Sequence, residues 1–219
     1  MRLFFDARAG RGLGTALVAV ALAFLVVMPA EAATTTPLNK NLVKDPGAEA
    51  AAADGLDGTV IVAIPGWTTV NGFTAAAYGA SGCPTTQQAA TIHGGKHIFF
   101  GGPDSAQSTA TQNIKIIGRN TAIDHGKLQV TLSAWLGGWD GQGDNAQLVV
   151  RFLRGNGTQI SSVKTAAVAG TSSVLKHKTA SKGIPKGTRT LRVMLVSTRT
   201  EGMNNDGMFD NIDVRIKLK

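Results

Sequence analysis

The sequence predicts an all-β protein built as a two-sheet sandwich, and three observations support that prediction. About ten short runs of strand-forming residues are separated by Gly, Asn, Asp and Pro. Several runs alternate apolar and polar residues, as Leu128, Val130 and Leu132 alternate with their polar neighbours. No long stretch has the amphipathic spacing of a helix. Many short strands without long helices are typical of a sandwich.

The candidate strands follow one another along the chain with turn residues between them. In chain order they are Thr59–Ile64, Phe73–Tyr78, His97–Phe100, Ser108–Ile116, Lys127–Leu136, Ala146–Leu153, Gln159–Lys164, Leu175–Thr179, Leu191–Thr198 and Met208–Leu218. No internal repeat or change of composition divides them. We therefore expect a single β-sandwich domain over residues 41–219.

The first 32 residues have the pattern of a signal peptide. Arg2, Arg8 and Arg11 precede an uncharged apolar run, and a small-x-small cleavage site ends at Ala32. The alternative is a membrane anchor, but the run is shorter than the roughly 20 residues of a spanning helix. We expect cleavage after Ala32, a secreted protein without a membrane partner, and a flexible mature N-terminus over residues 33–40.

Charge and cysteine content narrow the function classes. The net charge is +8, but no basic stripe with interleaved aromatic residues is present, which argues against a nucleic-acid partner. The charge fits solubility and weak attraction to anionic cell-wall polymers. Cys83 is the only cysteine, so it forms no intramolecular disulfide, and we expect it to pack as a small apolar residue.

Oxygen-bearing side chains crowd both ends of the predicted domain. The N-terminal end reads Asn41-Leu42-Val43-Lys44-Asp45-Pro46-Gly47-Ala48-Glu49, and residues 201–207 precede a last strand containing Asp210. Carboxylates, amides and backbone carbonyls are the ligands of Ca²⁺, and Gly permits the tight turns that gather them. The pattern suggests that the two ends meet and share a hard cation.

These end segments also carry a family resemblance. Together with Pro65-Gly66-Trp67, Gly101-Gly102-Pro103-Asp104, Ser133–Trp139 and Asp144–Phe152, they resemble, in order, the galactose-binding-like jelly rolls of secreted bacterial carbohydrate-binding modules. The resemblance implies a jelly-roll fold and a structural Ca²⁺ between Glu49 and Asp210. Asp45 and its neighbours are implied as carbonyl donors. The alternative is that Asn205 and Asp206 merely form a turn and that Asp210 accepts backbone donors.

A second candidate site is an aromatic platform for a sugar. Trp135 and Trp139 are four residues apart and share a face if the strand continues through both. Asp140, Gln142, Asp144 and Asn145 follow and are suited to bond sugar hydroxyls. Either indole is alternatively a core residue, and we expect Trp67, after a Pro-Gly turn, to be core.

Catalysis is the weaker expectation. The four histidines form no His-Glu-x-x-His motif, and no Gly-x-Ser-x-Gly motif is present. We expect a secreted, non-catalytic protein, similar to carbohydrate-binding modules, that binds extracellular or cell-wall polysaccharide. The alternatives are a secreted structural or adhesion protein with a protein or cell-surface partner, and a small extracellular hydrolase with a carboxylate pair.

Overall fold

The computed structural model describes residues 34–170 and 173–219, and residues 33–219 form one compact unit. The predicted signal peptide lies outside the described residues. None of the helices in the described ranges has the length and hydropathy that a membrane span requires.

Eleven strands and two short helices make up the described part of the chain. They are β1 (Thr68–Val70), β2 (Thr74–Ala77), α1 (Thr86–Ile92), β3 (His97–Phe100), β4 (Gln107–Lys115), α2 (Asn120–Asp124), β5 (Leu128–Gly137), β6 (Asn145–Leu153), β7 (Gln159–Lys164), β8 (Val168–Ala169), β9 (Lys176–Gly183), β10 (Thr190–Thr198) and β11 (Met208–Leu218). One sheet has the order β1-β4-β10-β6-β7, with β8 also paired to β6, and the other has the order β2-β3-β11-β5-β9. All pairs are antiparallel, and the predicted two-sheet sandwich is confirmed.

The core lies between the two sheets and follows from the alternation of the strands. In β5, every second residue from Leu128 to Ala134 is buried, and the residues between them are partly exposed. Phe99 and Phe209 contribute large rings that are fully buried. Trp67 is 8% exposed, packs edge-on against Phe99 at 5.2 Å, and is a core residue as predicted.

A β-bulge in β11 determines which way Asp210 faces. Between Asp210 and Asp213, β11 has one residue more than its partner β5. Phe209 before the bulge and Ile212 after it both belong to the core. Asp210 pairs with Trp135, so both side chains lie on the outer face of the five-stranded sheet.

Helix α1 covers one end of this outer face. The Thr85 side chain caps its N-terminus by accepting a hydrogen bond from the Gln88 N–H at 3.2 Å. The helix ends at His93, whose left-handed backbone turns the chain into Gly94-Gly95. A second, smaller apolar cluster joins the helix to the sheet; its members include Ala89, Ile92, Ile98, Phe100 and Met208.

Within the predicted flexible N-terminus, residues 33–40, Thr36 is buried and exchanges hydrogen bonds with the Ile117 backbone at 2.8 and 3.0 Å. The flexibility of the segment stays a prediction. One predicted strand, in contrast, is wrong. Thr59–Ile64 is not a strand. Its backbone bonds instead to the hydroxyl of Thr74, which donates to the Val60 carbonyl and accepts from the Val62 N–H, both at 2.9 Å.

Candidate functional site

Glu49 and Asp210, which we call the acid pair, come together from opposite ends of the chain. Both carboxylates flank Gly47, where an added Cβ would lie 3.0 Å from Asp210 Oδ1 and 3.9 Å from Glu49 Oε1. Glu49 Oε1 accepts the backbone N–H groups of Lys96 and His97 at 3.0 and 2.9 Å. The two residues before Lys96 must be glycine, because a Cβ on Gly94 or Gly95 would overlap one of the two carboxylates.

Burial dominates the electrostatics of Asp210. Its side chain is fully buried, and burial raises its pKa to about 8. Its oxygens accept the Tyr78 hydroxyl and the Asn211 N–H, which favour ionisation, whereas the nearby Glu49 charge opposes it. Burial also raises the pKa of Tyr78, so the phenol keeps its proton and donates it to this bond. No Lys or Arg in the described ranges forms an ion pair with either acid.

The acid pair fits a hard cation in charge and in donor chemistry. Two carboxylates without a positive partner need either a proton or a metal ion, and Ca²⁺ prefers such oxygen ligands. The described residues contain no group of three or more His, Cys, Asp or Glu side chains placed to hold a metal. The Asp45 carboxylate instead accepts the Ala50 N–H at 3.3 Å, and its carbonyl accepts the Trp67 indole N–H. Further ligands would therefore be backbone carbonyls or water.

A separate hollow of about 340 Å³ lies against Trp139, and we call it the Trp139 hollow. Trp139 is 38% exposed, and its ring packs on Gly82. Four loops and the end of β3 form the walls; the other lining residues are Asp57, Thr59, Ser81, Phe100, Gln142, Gly202, Met203, Asn204 and Asp206. The hollow therefore combines an exposed indole with polar groups.

Two acceptors in this hollow have no hydrogen-bond donor among the residues that the structure describes. Gln142 Oε1 is buried and has no hydrogen-bond partner within the described chain. The Asp206 carboxylate also accepts no hydrogen bond from the described residues, although the Asp206 N–H donates to Asp144 at 3.0 Å. Burial, together with the neighbouring Asp144 charge, raises the pKa of Asp206 to about 6.

The remaining predicted sugar ligands have different surroundings. Asp144 is fully buried, and its carboxylate accepts the N–H groups of Thr200, Glu201 and Asp206 at 2.6–3.1 Å. It holds the loop that forms one wall and does not line the hollow. Asn145 starts β6 and bonds the Gly143 carbonyl at 3.4 Å, while Asp140 is exposed beside Trp139.

Trp135 and Trp139 do not form the single strip that the spacing suggested. β5 ends at Gly137, so the alternation on which that expectation rested does not reach Trp139. Trp135 contacts His177 at 5.4 Å and lines a different, largely apolar hollow of about 480 Å³ beside α1. The two indoles therefore belong to two separate surfaces.

Comparison with known proteins bears on the fold. No protein-family model matches the chain, and neither does any curated protein. A cyclase from Fischerella sp. TAU, solved with 4-(1H-indol-3-yl)butan-2-one, is similar with a TM-score of 0.50 and 13% identity over 80% of this chain and 96% of that one. The chain is a two-sheet jelly-roll β-sandwich.

Two further similar structures have lower TM-scores. Family 16 Carbohydrate Binding Module-2 has a TM-score of 0.46 and 17% identity, over 80% of this chain and 99% of that one. The enzymatically active domain of bacteriophage CBA120 tailspike protein 4 has a TM-score of 0.49 and 13% identity over 82% of this chain, which spans only 21% of the tailspike chain. These two likenesses assign neither a function nor a ligand to this chain. Because enzymes are among these structures, the absence of catalysis stays a prediction.

Sequence reasoning missed three contributors to these sites. The Tyr78 hydroxyl donates a hydrogen bond to Asp210, which lies 132 positions further along the chain, and no local sequence pattern predicts that contact. Asp57 precedes the first predicted strand, and no motif marks it as a ligand. Asp206 belongs to the oxygen-rich loop 201–207 that the sequence linked to a cation, and only the folded chain places it against the Trp139 hollow.

Proposed function

We propose that the protein is a secreted, non-catalytic protein that binds extracellular or cell-wall glycan, and that the Trp139 hollow holds the sugar. The observation that carries this proposal is a 38% exposed indole on the wall of a polar hollow of about 340 Å³. Ligand sites of this size combine an apolar wall with a few converging polar groups. An aromatic face suits the C–H face of a sugar ring, and Gln142 and Asp206 offer acceptors to its hydroxyls.

We also propose that a structural Ca²⁺ binds at the acid pair. Glu49 and Asp210 supply the carboxylates, and backbone carbonyls near Asp45 supply further oxygens. The support is a buried carboxylate that lacks a cation and faces a second carboxylate. The ion would hold the two ends of the domain together and take no part in chemistry.

Replacing Trp139 with Ala tests glycan binding at the hollow. On a glycan array, and then by calorimetry with the best glycan, the variant should bind at least about tenfold more weakly, because truncating a Trp at the centre of a binding site costs about 2 kcal/mol or more of binding free energy. Its melting temperature should stay close to that of the wild type, since the indole is partly exposed.

Trp67→Ala is the matched control for loss of an indole. A buried Trp truncated to Ala costs about 3–5 kcal/mol, so this variant should lose stability rather than affinity. Unchanged glycan binding by Trp139→Ala, or destabilisation as large as that of Trp67→Ala, would contradict the proposal.

The adhesion alternative has one observation in its favour. The outer face of β5, β9 and β11 is mostly polar, with Thr131, Ser133 and Ser181 around the Asp213–Arg215 ion pair. Binding to cells without binding to any arrayed glycan would favour this alternative. Release of reducing sugar from a bound glycan would instead indicate the hydrolase.

A further inference from the structure

We propose that the Trp139 hollow selects glycans whose sugar rings carry a free, protonated amino group. The inference rests on the proposed function and names the ligand class of the same site. Three features of the hollow support it: the charge of its walls, its unbonded acceptors and its exposed aromatic face.

The walls of the hollow are acidic although the chain as a whole has a net charge of +8. The four loops that form them are residues 54–59, 79–85, 138–144 and 199–207. Their acidic residues are Asp54, Asp57, Asp140, Asp144, Glu201 and Asp206, and their one basic residue is Arg199. Of these seven residues only Asp57 and Asp206 line the hollow itself; Asp54 pairs with His97 at 3.0 Å, and the Arg199 guanidinium donates to the Met203 carbonyl at 2.6 Å. Such a surface attracts cations and repels uronic acids and phosphates.

The acceptors in the hollow suit a ligand that donates hydrogen bonds. The Asp206 carboxylate and Gln142 Oε1 have no protein donor among the described residues, whereas Asp57 Oδ1 already accepts the Thr59 N–H and hydroxyl at 3.1 and 2.6 Å. Gln142 Oε1 is buried, and a buried acceptor without a partner is costly, so a ligand that donates to it gains affinity. The Asp206 carboxylate is half-buried, and a donor from the ligand would replace water there. An ammonium group has three donors and no acceptor, and it therefore suits this pair.

The indole and the burial of Asp206 add to the preference for a cation. A cation over the face of Trp is attracted by the ring, and Trp is the best of the aromatic residues in this respect. Burial and the Asp144 charge raise the pKa of Asp206 to about 6, so near neutral pH its ionised form lacks compensation inside the protein. A bound ammonium supplies that compensation, whereas an N-acetyl group at the same ring position does not.

Two matched oligosaccharides separate this selectivity from glycan binding in general. Calorimetry at pH 6.5 with Ca²⁺ present should compare a β-1,4-linked glucosamine oligomer with its fully N-acetylated counterpart. We expect the amine form to bind at least about tenfold more tightly, which is the effect of one charge-assisted hydrogen bond. Added salt should weaken this preference because it screens the charges.

Asp206→Asn is the decisive variant, and Asp213→Asn is its control. Both replace one carboxylate by an amide, but Asp213 pairs with Arg215 on β11 and does not line the Trp139 hollow. Asp206→Asn should abolish the preference for the amine form, and Asp213→Asn should keep it. Melting curves of both variants check that they fold.

The outcomes distinguish the two proposals. Equal or tighter binding of the N-acetylated form, or a preference that survives Asp206→Asn, overturns amine selectivity and leaves glycan binding at the hollow intact. A third outcome is that the protein binds another glycan, loses that binding in Trp139→Ala, and does not bind the amine form. This outcome also overturns amine selectivity and leaves glycan binding at the hollow intact. If Trp139→Ala changes the binding of no glycan, the proposed function itself fails.

Discussion

Three aspartates show how burial and partners decide the charge of a single residue. Asp124 is partly exposed, and its hydrogen bonds to Arg189 hold its pKa at about 2. Asp206 is half-buried without a cation, and its pKa is raised to about 6. Asp210 is fully buried beside Glu49, and its pKa is raised to about 8. Depending on its surroundings, an aspartate in this protein is therefore either a stable anion or a group that holds a proton near neutral pH.

Replacing Asp206 with Asn should change how stability depends on pH. The folded-state pKa of about 6 lies above the unfolded value of about 3.9, so the folded state binds the proton more tightly. The stability from that proton is complete below about pH 4 and is lost as the pH rises through about 6. Asn loses no proton, so between pH 4.5 and pH 7.5 the variant should gain about 1 kcal/mol relative to the wild type, with allowance for solvent screening.

Urea unfolding at both pH values, in the presence of a chelator, measures this difference. Asp210 titrates in the wild type and in the variant alike, so its contribution cancels in the comparison. A variant whose stability follows the wild type in parallel over this range would show that the Asp206 pKa is not raised in the folded protein.

At the scale of elements, one buried side chain organises the loop that closes the Trp139 hollow. Residues 199–207 contain no regular strand before β11, and Asp144 from the start of β6 accepts three of their backbone N–H groups. Asn205, fully buried in the same loop, donates to the Ser197 carbonyl at 3.1 Å. The loop is therefore held by side chains rather than by a strand ladder.

Asp144→Ala should loosen this loop and weaken glycan binding together. Removing the acceptor leaves three backbone donors unpaired, and we expect a loss of about 1–3 kcal/mol in the free energy of unfolding. Faster hydrogen exchange over residues 200–206, measured by mass spectrometry, would localise the effect. The exposed ion pair at Asp213 is the control, and Asp213→Ala should cost less than about 1 kcal/mol. Unchanged exchange in Asp144→Ala would show that other contacts hold the loop.

The bounds of several strands were predictable from the sequence. The bounds of β3, β7 and β11 are those predicted, because alternation or a short apolar run bounded by turns marks them. Thr59–Ile64 has the composition of a strand, but its chain is held by the Thr74 hydroxyl and forms no ladder. Helix α1 was not predicted because its seven residues are too few for a helical periodicity to be recognised in the sequence.

The sites were predictable only in part, for a related reason. The motif at the chain ends pointed to Glu49 and Asp210, and the fold brings them together. The Trp139 hollow is assembled from four loops that are far apart in sequence, so the spacing of residues does not reveal it. β5 ends at Gly137, so Trp135 and Trp139 do not share a face of the strand as their four-residue spacing had predicted.

At the scale of the whole molecule, the acid pair links the two ends of the domain. If Ca²⁺ binds there, it binds the folded state only and stabilises it by about 2.7 kcal/mol at a concentration one hundred times its Kd. We expect chelation to lower the melting temperature by roughly 5–10 °C and added Ca²⁺ to restore it. Asp210→Ala should abolish the response, whereas Asp213→Ala should keep it.

Differential scanning calorimetry of the wild type in chelator and in Ca²⁺ is the direct measurement. Identical melting in both conditions would remove the calcium proposal. A response that persists in Asp210→Ala would place the ion at another site.

The position of β11 has a consequence for the order of events during synthesis. β11 is the last strand to be made, yet it lies in the middle of its sheet between β3 and β5, and residues 39–42 bond to its backbone as well. Without β11, β3 and β5 have no common neighbour, and residues 39–42 lose their partners on this strand. The five-stranded sheet therefore forms only through contacts that are distant in sequence, which is slow. A protein-translocation channel accepts an unfolded chain, so if the predicted signal peptide directs export, the slow completion of this sheet leaves time for it.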